Sequence, residues 1–233
     1  PSAERGAGVA PAKDAVYLEA LPETALAPST PQRFLALYFD DIHMNFEDIA
    51  QVRPAAERYL ASALSPGDRV AIYTSSGQVM LDFTDDQGKL HETFLRLLPR
   101  PIAGTQEGTC PEVFDYQAYL IVHTNDPYAL SIATEEAYHC NYEGLRMDPA
   151  TARANSQTLA REEAMRVLNS SQMEMEHALR GLEQVVRRLA AAPGQRSIVL
   201  ISPGFLTVTR EYRLNGFVER ALRSNVLINT FDS

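Results

Sequence analysis

Tryptophan is absent from the 233 residues, and cysteine occurs only twice. Two cysteines are too few for a disulfide-built scaffold or a four-ligand zinc site. The 10 Tyr and 9 Phe form no obvious carbohydrate platform without Trp. Positive charge is also in deficit: 21 Lys and Arg stand against 30 Asp and Glu, a formal net charge of −9. Nucleic acids and anionic bilayers attract clustered Lys and Arg, so this balance argues against both as partners. No apolar run reaches the ~18 residues that span a bilayer, so no membrane insertion is expected of this segment. The first residues lack the charged-then-apolar pattern of an export signal, and the chain opens on Pro1. Catalytic signatures are missing too: there is no nucleophile elbow, phosphate loop, Gly-rich dinucleotide turn or HExxH. The chain is expected not to be an enzyme.

Apolar residues make up 45% of the chain, enough for a core. Residues 1–32 read as a linker or N-terminal extension, because Pro11, Pro22, Pro28 and Pro31 interrupt any regular element. Within it, Ala15 to Leu18 is a candidate edge strand. From Phe34 the pattern changes. Phe34 to Phe39 is continuously apolar and ends in Asp40-Asp41, as a strand buried on both faces would. Residues 46–64 follow helical spacing, with Phe46, Ile49, Val52, Ala56, Tyr59, Leu60 and Ala63 on one face.

Arg69 to Thr74 and Gln78 to Phe83 read as strands joined by the tight turn Ser75-Ser76-Gly77, hence an antiparallel hairpin. Thr84-Asp85-Asp86 caps a helix over about 87–98, with Leu90, Phe94, Leu97 and Leu98 inward. Negative charge suits a helix start, so the Asp85-Asp86 pair needs no catalytic role. An irregular stretch from 100 to 150 carries helices over 116–123 and 127–139. A long helix follows from about Pro149 to Ala192, its stripe running Met165, Leu168, Met175, Leu179, Leu182, Val186 and Leu189. Ser197 to Ile201 and Val226 to Thr230 are further strands, separated by a short helix over 216–224. Strands alternating with helices predict an α/β fold with a doubly wound, mostly parallel sheet.

Four pieces resemble a von Willebrand factor type A domain: FLALYFDD, the hairpin DRVAIYTSSGQVMLDFTDD, RSIVLISPGF and RSNVLINTF. More narrowly they are similar to the variant domains of acidobacterial exported proteins, with an aspartate pair after the first strand and a Cys-bounded insertion. The resemblance covers roughly 33–110 and 177–233. It implies one domain over 33–233 with an insertion at about 100–155. It also implies a sheet of order 3-2-1-4-5 with one antiparallel edge strand. The family continues beyond the fifth strand. The resemblance therefore implies a fragment of a longer protein, which self-associates through 226–231 or is covered by residues 1–32.

The family's usual chemistry is a metal-ion-dependent adhesion site at the strand ends, where open α/β sheets bind ligands. A hard cation such as Mg²⁺ needs oxygen ligands there. The resemblance puts Asp40 first, but Ile42 and Met44 then fall where the family has Ser. Shifting by one gives Asp41, His43 and Asn45. Thr105 or Thr109 fills the family's Thr position, and Pro203 replaces its second Asp. The site is degenerate, with Asp40, Asp41 and Thr109 as its metal candidates. Mg²⁺ or another divalent cation is expected to bind weakly or not at all, and Asp40 or Asp41 to cap backbone N–H groups instead. His43, Asn45, Ser75, Ser76 and Pro203 are expected to converge on the same face.

Cys110 and Cys140 admit three readings. They close the insertion as a disulfide, worth roughly 3–4 kcal/mol by chain entropy; they are separate buried thiols; or Cys140 is a nucleophile served by His139 or His123. The disulfide is the working expectation, and it implies an extracellular or periplasmic location. The functional expectation is a non-enzymatic, adhesion-type protein-binding domain of an exported bacterial protein, its partner a protein. The alternatives are a structural or assembly module working through the insertion and long helix, and a hydrolase using Cys140 or a carboxylate pair.

Overall fold

The computed structural model of the chain describes residues 33–101 and 108–231. The apolar run after Pro31 becomes β1 (Arg33–Phe39), in which Leu35 to Phe39 are all buried. It pairs in parallel with β2 (Arg69–Thr74) on one side and β4 (Gln195–Ile201) on the other. β5 (Val226–Phe231) continues the sheet in parallel beside β4. β3 (Met80–Thr84) returns antiparallel to β2, with an irregular register between Val70 and Ile72. The order is β3-β2-β1-β4-β5, as expected.

Alternation along β1 divides the core. Leu35, Leu37 and Phe39 pack with Ile49 and Val52 of α1 (Phe46–Ala63) and with Leu90 and Phe94 of α2 (Gln87–Leu95). Ala36 and Tyr38 pack on the opposite face against α5 (Pro149–Ala190) and α6 (Glu211–Arg223). Tyr38 donates its buried hydroxyl to the Ala178 carbonyl at 3.1 Å. Gly181 permits that approach, because a Cβ there would overlap the Tyr38 Oη.

α5 is one helix of 42 residues, roughly 60 Å long. Its C-terminal half covers the sheet. Its N-terminal half instead packs with α3 (Asp115–Tyr119), the π-helical turn Leu120–Thr124 and α4 (Pro127–Asn141). Cys110 and Cys140 are joined in a disulfide with Cα atoms 6.3 Å apart, so neither thiol is free to act as a nucleophile. The insertion is thus a satellite core resting on the first half of α5.

Several expected boundaries move. The helix expected over 116–123 starts at Asp115 and passes into the π-helical turn, which Asn125 ends in the left-handed region at φ 50°. Gln78 stays in the turn before β3, α2 stops at Leu95, and α6 begins at Glu211. Phe46, Tyr59, Leu98 and Met165, expected inward, are exposed. Phe46 lies at the helix start, one turn before Ile49 reaches the sheet. Residues 1–32, including the strand candidate at 15–18, lie outside the described residues. β5 is the outer strand, with Leu227 70% exposed.

Candidate functional site at the strand ends

β1 delivers two adjacent carboxylates to the end of the central strand, and both are buried: Asp40 is 0% and Asp41 1% exposed. Buried charge requires partners, and the neighbouring strands supply them. Asp41 Oδ1 accepts from Ser75 Oγ at 3.0 Å and from the Ser76 backbone N–H at 2.8 Å, while Ser76 Oγ donates to Oδ2 at 2.6 Å. Asp41 therefore latches the end of β1 to the β2–β3 turn. Ser75 Oγ also accepts from the Ile42 N–H.

Asp40 faces another way. Its Oδ2 accepts from Ser202 Oγ, just after β4, at 2.7 Å and lies 2.8 Å from His43 Nδ1. The His43 and Met44 N–H groups both donate to the Asp40 carbonyl, a tight turn that folds the imidazole back over the carboxylate. His43 Nε2 lies 3.3 Å from Glu174 Oε2 on α5, an ion-pair contact whose angle falls short of a hydrogen bond. Glu174 is itself buried and accepts from Ser170 Oγ at 3.2 Å. Asp115 joins from α3, with a hydrogen bond from Ser171.

Burial would push the proton off His43. The close polar contacts and charges of Asp40 and Glu174 overcome this and raise its pKa to about 10. The ring is an imidazolium held between two carboxylates. The Asp115 carboxyl is raised by burial, against the Ser171 hydrogen bond, and further by the Glu174 charge. Burial, then Asp40 and Asp41, push the Tyr38 phenol upward.

This arrangement holds a proton rather than moving one. Both ring nitrogens face carboxylates, and Ser202 donates to the same Asp40 oxygen that the imidazole contacts rather than to the imidazole itself. A nucleophile relay needs the base between the hydroxyl and the acid; here the acid is in the middle.

The residues do not fit a hard divalent cation. Ile42 and Met44 are buried and offer no side-chain oxygen, and Pro203 carries none either. Asp40 Oδ1 is buried without a partner among the described residues, but one free oxygen is no coordination shell. Among the described residues, no group of three or more His, Cys, Asp or Glu is arranged to hold a metal ion. Thr109 is not at the site. It bonds Glu163 on α5, eleven residues and about 16 Å along the helix from Glu174. The Cys110–Cys140 bond holds that segment against the satellite core. Thr105 lies outside the described residues.

Of the expected binding face, only Asn45 and Pro203 are exposed. Asn45 is occupied as the α1 N-cap, accepting from the Asp48 N–H at 2.9 Å. His43 and Ser75 turn inward to the two carboxylates, and Ser76 is half-buried against Asp41. Asp40 bonds side chains, where backbone capping was expected, while Asp41 does accept a backbone N–H. Ser202, Glu174, Ser170 and Asp115 were not foreseen. Glu174 carried one signal: it is a carboxylate beside Met175 on the inward side of an apolar stripe.

No protein-family model, curated protein or solved structure matches this chain. No helix among the described residues is long and apolar enough to cross a membrane.

Proposed function

We propose that the chain is a non-enzymatic protein-binding domain of the von Willebrand type A kind, exported, with a strand-end docking face that works without a metal. The observation that carries the reading is the His43 ring set between the Asp40 and Glu174 carboxyls. A fixed internal cation occupies the place that a divalent ion has in the resembled family. The partner then meets a preorganised rim of Phe46, Asn45, Pro203 and Gly204 rather than an open coordination position. Phe46 is 72% exposed, a large apolar anchor of the kind interfaces use. The Cys110–Cys140 bond supports an oxidising, extracellular or periplasmic location.

A second reading, assembly through the insertion, has its own support. Phe114, Tyr116 and Tyr128 are exposed on α3 and α4 and their approach. Affinity capture from a cell-envelope extract separates the two. Wild type, Phe46→Glu with Pro203→Arg, and Tyr128→Glu are compared, each with and without EDTA. The first reading expects capture to be lost only in the rim variant and to be indifferent to EDTA. Loss only in Tyr128→Glu would favour the second, and EDTA sensitivity would refute the metal-free interface.

A further inference from the structure

Away from the strand ends, α5 and the β1–β3 side of the sheet enclose a cleft of about 370 Å³. That lies within the range of small-molecule sites, ~300–1,000 Å³. Four polar side chains of α5 line it at helical spacing: His177, Arg180, Gln184 and Arg188. Successive members are three, four and four residues apart, so they form one stripe down the helix. Gly181 interrupts the stripe, and the Tyr38 hydroxyl fills the space its side chain would take. The opposite wall sets Tyr73, Val79 and Met80 beside the hydroxyl residues Thr74 and Ser75.

The cleft is lined without acid: the protein carries a net −9, yet no Asp or Glu lines it, while the guanidinium groups of Arg180 and Arg188 do, the latter paired with Asp82 at the rim. Arg180 commits only its Nε, to the Glu176 carbonyl at 3.2 Å; among the described residues its terminal nitrogens have no partner. His177 has no partner among them either. Arg188 stacks over Tyr73, 5.5 Å from the ring centroid, and pairs with Asp82 at 2.6 Å on the rim. Tyr73 shares that rim acceptor at 3.3 Å.

We infer that this cleft binds a small organic oxyanion, a phosphate or carboxylate carried on an apolar or aromatic body. Arg180 supplies the free planar fork that matches either group. His177 and Gln184 add donors on both sides of it along the helix. Tyr73, Val79 and Met80 take the apolar body, and the Arg188–Asp82 pair closes the far end. The site is separate from the strand-end face and does not rest on its proposed role.

The test is titration of the whole chain with phenyl phosphate, benzoate and inorganic phosphate at low ionic strength. Heat by calorimetry and the His177 ring protons by NMR are the readouts. Saturable one-to-one binding of phenyl phosphate or benzoate is expected, with the His177 signals moving. Inorganic phosphate, lacking the apolar body, is expected to bind at least about fivefold more weakly. Arg180→Gln should weaken binding by about tenfold or more. Gln184→Glu, an exposed substitution that puts a carboxylate into the cleft, should abolish it while leaving the fold and melting temperature unchanged. The inference is overturned if neither organic anion binds up to about 10 mM, a Kd only ~3 kcal/mol from no binding at 1 M. It is equally overturned if Arg180→Gln and Gln184→Glu bind like wild type, or if inorganic phosphate binds as tightly as phenyl phosphate.

Discussion

The two halves of α5 bury opposite kinds of residue. The N-terminal half buries Ala152, Ser156, Ala160 and Ala164, the last two in the satellite core with α3 and α4. The C-terminal half puts Met175, Leu179, Leu182 and Val186 inward against the sheet. Interaxial distance follows side-chain size, so one continuous helix docks closely at one end and through a thick apolar layer at the other. Specificity comes from missing volume in the first case and from filled volume in the second. Glu174 and Ser170 lie at the changeover, where neither device operates, and there α5 meets the strand-end site through His43.

The changeover is the most costly place to break. Glu174→Ala removes one partner of a buried ion pair and should cost about 4 kcal/mol. Urea denaturation measures it. The pH dependence sharpens the point. His43 keeps its proton in the fold up to about pH 10, against a reference value of 6.5. A raised pKa stabilises fully below the unfolded value, and this contribution disappears as pH rises from 6.5 through about 10. Glu174→Gln removes one of the two carboxylates, so its loss should start from the same pH near 6.5, end at a lower pH than in wild type and be smaller in total. Identical pH profiles for the two proteins would show that Glu174 does not hold the imidazolium.

Next in size is the staple on the N-terminal half. Replacing both Cys110 and Cys140 with Ser should cost about 3 kcal/mol, and the loss should be local. Hydrogen exchange should accelerate in α3 and α4, while the amides of β1 and β4 keep their protection. Uniform loss of protection across the sheet would mean that the two halves of α5 unfold as one unit.

Close docking predicts intolerance of added volume. Ala160 is fully buried in the satellite core, and Ala160→Leu should cost about 2 kcal/mol through overpacking. A neutral result in chemical denaturation would mean that α4 stands further from α5 than the buried alanines require.

The same contrast explains what was legible in the sequence. The strands were readable because β1, β2 and β4 are runs of large apolar residues, and the Leu179–Leu182–Val186 stripe was readable for the same reason. The docking face of the first half was not, because Ala and Ser buried at helical spacing look like an exposed polar surface. At the site, Asp40, Asp41 and His43 were legible as neighbours at a strand end. Their roles were not, because Ser202 and Glu174 come from 162 and 134 residues further along the chain. Only the sheet order and the path of α5 bring them together.

Met165 offers the smallest and sharpest test, since the heptad stripe placed it inward and the structure leaves it 48% exposed. Each residue turns the helix by about 100°, so Met165 points well away from Ala164, which is fully buried against the satellite core. Leu168, one turn on, returns to that core and is 3% exposed. Met165→Lys should therefore change stability by less than about 0.5 kcal/mol. Leu168→Lys would bury a charge in the satellite core and should destabilise it severely. Thermal melts of the two variants side by side make the comparison. A loss above about 1 kcal/mol for Met165→Lys would exceed what an exposed position explains. It would mean that the heptad stripe continues through the first half and that another surface covers Met165 in solution.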